Sequence, residues 1–166
     1  MQKDVNKMAT NRGKQFENVI KEAFEKVPET SVVRLHDQTT GYIGSSNHCD
    51  FIVYHKPYEY HIECKSVHGN TFPLSNITDT QYKGMLEKSQ IDGVIAGVIC
   101  WWIDKDVTLF IPIQTIQQMK GVEIKSIRYD VWDDCEGDTD MILISGIKKR
   151  VFWEYDMQQF FEEVEK

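Results

Sequence analysis

Asp50-Phe51-Ile52-Val53-Tyr54-His55-Lys56-Pro57-Tyr58-Glu59-Tyr60-His61-Ile62-Glu63-Cys64-Lys65 is the stretch on which the fold turns. It holds two β-prone runs, residues 51–54 and 60–62, separated by a polar segment with a proline, the pattern of a hairpin. Side chains two apart on a strand share a face, so Glu63 and Lys65 point one way and Cys64 the other. Pairing the two runs brings Asp50 beside Glu63. Two carboxylates with an ammonium next to them form a hard oxygen site of the kind that Mg²⁺ and a phosphate require.

Upstream, residues 37–47 are rich in Gly, Ser and Thr and read as a loop delivering the chain to Asp50, and residues 31–35 read as a strand. From Thr10-Asn11 onward, Phe16, Val19, Ile20, Ala23, Phe24 and Val27 recur at helical spacing until Pro28, leaving residues 1–9 as an expected flexible lead. Glu17 sits beside Phe16 at the border of the apolar stripe, where it can carry a third carboxylate to the sheet edge. Arg12 and Lys14 in the first turn are candidate phosphate contacts, and Gly13 between them admits close backbone approach. In the loop, Ser45 and Ser46 are candidate phosphate donors, although turn chemistry alone accounts for them, and Tyr42 is the aromatic set beside the candidate centre.

Downstream, residues 72–76 read as a connector. Thr78-Asp79 then caps a helix bearing Tyr82, Met85 and Leu86 and ending near Asp92-Gly93. The apolar run 94–101 predicts a central strand. Residues 107–111 pair with it through a turn at 104–106, and Pro112 starts a helix to Met119. Strands over 141–144 and 151–155 and a helix over 156–164 complete an α/β fold, a central mixed β-sheet flanked by helices in a single domain spanning 1–166. The acidic segment 133–138 reads as a loop and lacks the spacing of an EF-hand.

The 166 residues carry a net charge of −7, all of it contributed by residues 91–166. The half with Asp50 and Glu63 is neutral, so whole-chain acidity does not exclude a nucleic-acid partner. The acidic stretch 130–140 is expected to face away from the cleft. No apolar run approaches the ~20 residues of a membrane span, and the N-terminus lacks a signal-peptide core, so a cytoplasmic protein without a membrane partner is expected. The four cysteines are isolated and are expected as buried thiols. Zinc ligation by His48-Cys49 or His61-x-x-Cys64 is set aside because adjacent residues on a strand diverge. None of the five histidines falls in an H-N-H-like arrangement, and His61, on the face of Glu63, is given at most a supporting place. Trp101, Trp102, Phe110, Trp153, Phe160 and Phe161 are expected in the core or in a dimer contact.

Asp50, Glu63 and Lys65 resemble the PD-(D/E)XK nuclease signature without its proline. Arg12-Gly13 with Phe16-Glu17, Cys49-Asp50-Phe51, Glu63-Cys64-Lys65-Ser66, and Phe72-Pro73-Leu74-Ser75-Asn76 with Gln81 narrow the likeness. Over about residues 11–115, the catalytic core, the chain resembles RecU-type Holliday-junction resolvases. The resemblance implies a restriction-endonuclease-like core and a homodimer that cuts branched DNA, the four-way junction, symmetrically with Mg²⁺, for which Mn²⁺ substitutes. It implies that Asp50, Glu63 and Glu17 ligate metal, that Lys65 serves the attacking water, and that Gln81 orients water or a catalytic side chain. Bacterial members carry a long stalk before the catalytic Asp, where this chain has only residues 39–47. It is thus a short, stalkless variant of the kind that fits a phage-borne enzyme. Two other readings stand beside it: a PD-(D/E)XK nuclease acting on linear duplex in restriction or repair, and a junction-binding protein without turnover. A pure binder has no need of Asp50, Glu63 and Lys65 together.

Overall fold

A computed structural model describes residues 2–36, 47–131 and 140–166, with side chains from residue 11 onward. Helix α1, Gln2–Glu25, starts well before the Thr10-Asn11 boundary expected from the apolar stripe. Residues 2–10 offer only Val5, Met8 and Ala9 as apolar positions, too short a run for the periodicity to announce a helix. Strands β1 (Thr30–Arg34), β2 (Phe51–His55) and β3 (Tyr58–Val67) follow. Their turn contains a cis Lys56-Pro57 peptide. The hairpin register pairs Phe51 with Ile62 and His55 with Tyr58, so β3 begins two residues earlier than the apolar pattern suggests.

Next come β4 (Thr71–Pro73), a 3₁₀ turn at Leu74–Asn76 and helix α2 (Asp79–Lys88). Thr78 caps α2 as expected, but the helix stops at Lys88, short of Gly93. Strand β5 (Val94–Trp102) lies parallel to β3, and β6 (Val107–Pro112) returns antiparallel to it. Pro112 leads into α3, Ile113–Gly121. Strand β7 (Ser126–Arg128) pairs with β4 in a small ribbon that lay hidden in the presumed connector. The chain closes with β8 (Ile142–Leu143), a β9–β10 ribbon (Gly146–Lys148 with Trp153–Tyr155) and helix α4, Met157–Val164.

The central sheet has six strands in the order β1-β2-β3-β5-β6-β8, mixed as expected. Alternation along its strands feeds two cores. Phe51, Val53, Tyr60, Ile62, Cys64, Ile99 and Trp101 face α1 and α4, meeting Phe16, Ile20, Phe24, Phe160 and Phe161. Ala96, Val98, Cys100, Trp102, Leu109 and Ile111 face the other way, against Met85 of α2 and Ile113 and Ile116 of α3. The Trp101 and Phe16 rings lie 5.4 Å apart. Trp101, Trp102, Phe110, Phe160 and Phe161 are therefore interior residues, and Trp153 packs against the first core. Among the described residues no helix is long and apolar enough to cross a membrane.

Candidate active site

The carboxylates meet where β2 begins and β3 is at mid-length. Asp50 lies one residue before β2, its backbone N–H donating to the Ile62 carbonyl (3.0 Å) and its carbonyl accepting from the Leu35 N–H (2.8 Å). It is thus held between β1 and β3 by main-chain bonds. Its side-chain Oδ2 accepts from the Cys64 backbone N–H at 2.8 Å. Glu63 belongs to the middle of the ladder, paired with Val98 of the parallel neighbour, and is 3% exposed. Cys64 turns into the opposite core, as the two-residue period requires.

Glu63 Oε1 accepts from Lys65 Nζ at 2.9 Å and from Gln81 Nε2 at 2.7 Å. Gln81 is the third residue of α2 and the partner of Thr78 in a capping box. Its Oε1 accepts from the Thr78 backbone N–H at 3.0 Å, which leaves only the NH₂ end for Glu63. The cap that starts the helix therefore also fixes which end of the amide faces the site.

Burial pushes the Glu63 carboxyl up to about 8, and the Asp50 charge beside it pushes the same way against the pull of Lys65. Burial also raises Asp50, opposed by the Cys64 N–H and Lys65. Two buried carboxylates with one lysine between them are short of positive charge. That imbalance, together with hard oxygen donors, fits a divalent cation such as Mg²⁺.

Glu17 comes from α1 on the other side of the sheet. Arg34, the last residue of β1, donates to Glu17 through Nη2 (2.5 Å) and to Asn18 through Nη1 (2.7 Å), and lies 5.9 Å from the centre of the Phe51 ring. The Glu17 charge also pushes the Glu63 carboxyl and the Cys64 thiol up, behind burial and the Asp50 charge. Sequence reading missed Arg34. Its signal was available, since it closes the strand that pairs with Phe51, next to Asp50.

Arg12 and Lys14 are exposed on the same helix as Glu17, and among the described residues nothing lies within 4 Å of a Cβ placed on Gly13. Tyr42, Ser45 and Ser46 lie outside the described residues, as does most of the acidic stretch 130–140. Two of the histidines pair away from the carboxylates, His55 with Glu165 and His68 with Asp104. His61 binds Glu59 through Nε2 at 2.7 Å and His48 through Nδ1 at 2.6 Å. The metal-ligating atoms of His48, Cys49 and His61 lie within 4.8 Å of one another. Residues 48 and 49 precede β2 and do not obey strand alternation, so the divergence of adjacent strand residues does not keep them apart. Cys64, on the far face, takes no part in it.

The family model described as RecU, Recombination protein U, matches residues 11–141. The chain belongs to that family. Its members are metal-dependent, junction-cleaving endonucleases, and this chain is a Holliday junction resolvase. The match extends past residue 115, where the motif resemblance fades, to Met141. The solved structure of Hjc, a Holliday junction resolvase from the archaeal hyperthermophile Archaeoglobus fulgidus, is similar to this chain at 18% identity and a TM-score of 0.46, covering 61% of this chain and 78% of that one. No curated protein sequence matches the chain.

Proposed function

We propose that the chain is a Mg²⁺-dependent resolvase acting as a homodimer of single-domain subunits in the cytoplasm, with Mn²⁺ able to substitute. It incises two strands of a four-way junction symmetrically and leaves 5′-phosphate and 3′-hydroxyl ends. The observation that carries this reading is the buried Asp50–Glu63 pair with Lys65 and Gln81 on one carboxylate oxygen. Asp50 and Glu63 would hold the metal, with Glu17 completing the site from the side. Bound there, Mg²⁺ supplies a Lewis acid that lowers the pKa of water and offsets phosphoryl charge.

The chain's own residues do the rest. Gln81 donates to Glu63 and, with Lys65, fixes the position of its Oε1. Lys65 puts an ammonium where negative charge grows on the attacked phosphate and positions the attacking water. Arg34 restrains Glu17. Arg12 and Lys14, with Tyr42, Ser45 and Ser46 ahead of Asp50 in the sequence, would hold the DNA backbone. Two such centres related by a two-fold axis match the symmetry of a four-way junction.

Purified protein with labelled four-way junction, linear duplex and single strand, with and without Mg²⁺, tests this. Paired symmetric nicks confined to the junction, lost in Asp50→Asn while junction binding persists, are the expected result. Equal cutting of linear duplex would sink the junction preference, and binding with no cutting under Mg²⁺ or Mn²⁺ would sink the catalytic assignment.

A further inference from the structure

A second cluster lies on the same face of β3, two residues before Glu63, and its chemistry is of another kind. His61 is 3% exposed and Cys49 is 2% exposed, and His48 stands half-buried beside them. The donor atoms are two imidazole nitrogens and a thiol, a borderline-soft set that suits Zn²⁺ and is indifferent to Mg²⁺.

Three features argue for a built site. His61 Nε2 is held by the Glu59 carboxylate at 2.7 Å, which turns Nδ1 toward His48 and Cys49. A carboxylate on the far nitrogen is how proteins orient metal-bound histidines. His48 is itself clamped by α2, since a Cβ on Gly84 would come within 2.3 Å of the His48 Cβ. The charges also balance, because one thiolate and the Glu59 carboxylate match one divalent cation.

We infer that His48 Nε2, Cys49 Sγ and His61 Nδ1 form a zinc-binding site, separate from the Asp50–Glu63 centre, with a fourth position open to water. Without metal, the same atoms form a Glu59–His61–His48 hydrogen-bonded chain, and the Cys49 thiol donates to the Phe51 carbonyl at 3.4 Å. Tetrahedral zinc at ~2.0 Å from each nitrogen sets them roughly 3.3 Å apart. The 2.6 Å contact must therefore open by roughly 0.7 Å, while Cys49 Sγ, 4.0 Å from His61 Nδ1, closes slightly. Binding releases the Cys49 proton and moves the His48 proton from Nε2 to Nδ1, leaving Nε2 free to ligate. Along a strand, residues two apart stand ~6–7 Å from each other, so the two centres are neighbours that do not share a ligand.

The test is a titration of the whole chain with Co²⁺ and Zn²⁺ in excess Mg²⁺, followed by absorbance and calorimetry. One Co²⁺ per chain with a thiolate-to-cobalt band in the near ultraviolet is expected. Cys49→Ser should abolish the band, and Glu59→Gln, at a half-exposed position that is safe for folding, should weaken Zn²⁺ binding by about 10–100-fold. Asp50→Asn with Glu63→Gln should leave the band intact. Cobalt bound without that band, and released by the Asp50 and Glu63 changes, would overturn the site in favour of the carboxylate centre. Absence of stoichiometric binding would overturn it outright.

Discussion

The sheet is built from long strands where it carries the carboxylates and from short ones where the chain ends. Strand β3 has ten residues and β5 nine, whereas β8 has two and β9 and β10 three each. Glu63 stands in the middle of the long parallel ladder opposite Val98, and Asp50 is held by main-chain bonds to Ile62 on one side and Leu35 on the other. A catalytic pair needs placement to within a fraction of an ångström, and a ladder supplies it better than a loop. The C-terminal region instead works by side-chain packing, with Phe160 and Phe161 of α4 filling the core beneath α1. Changes at the first region should strike activity, and changes at the second should strike stability or nothing.

The largest effect is expected at Asp50. Asp50→Asn keeps the size of the side chain but removes a metal-ligating charge, and should lower junction cleavage by more than about 10³-fold, with binding retained in a mobility-shift assay. Gln81→Ala removes the donor to Glu63 and half of the capping box at once, so kcat should fall by about 10–100-fold and α2 should lose roughly 1 kcal/mol. Gln81→Glu separates the two roles. It keeps the cap but aims a carboxylate at Glu63, so stability at neutral pH with Mg²⁺ should hold better than cleavage does. Equal losses in both would show that the amide serves only the helix.

Glu63→Gln tests the buried charge directly. A carboxyl raised from 4.5 to about 8 costs the metal-free fold nothing below the unfolded value, and its penalty grows with pH until it is complete above about 8. The isosteric amide should therefore raise the Tm of the metal-free protein at pH 9, by roughly 5 °C, and leave it unchanged at pH 4. By the same sign, wild-type affinity for Mg²⁺ should climb as pH rises toward 8, because the ion must displace a proton. A pH-independent difference in Tm between the two proteins would break the assignment.

The hairpin and its chemistry were legible because they are local. Period-two alternation, a Pro57 turn and Glu63-x-Lys65 all lie within sixteen residues, and the register follows from them. The α2 cap was legible for the same reason. The β4–β7 ribbon was not, because its partners are more than fifty residues apart and each is too short to show a period. Arg34 was missed, and the His48–Cys49–His61 cluster set aside, for another reason, since their roles depend on which strand ends adjoin. Gly84 falls between these cases. Its need to be glycine is invisible in α2 and plain once His48 is seen against it, and Gly84→Ala should cost about 1–3 kcal/mol, recovered in part by adding His48→Gly.

The smallest effect is expected at the far end of the molecule. Glu165 accepts from the Tyr60 hydroxyl at 2.7 Å and meets His55 Nδ1 at 3.1 Å, joining the end of α4 to the hairpin. Glu165→Gln preserves an acceptor for Tyr60 and gives up only a half-exposed charge, so stability should change by less than about 1 kcal/mol. Glu165→Ala leaves the Tyr60 hydroxyl without its partner and should cost about 1–2 kcal/mol. Neither should alter kcat on a four-way junction. His55 and Tyr60 lie on the same hairpin as Asp50 and Glu63, so a loss of kcat in either variant would show that the end of α4 helps set the geometry of the ladder.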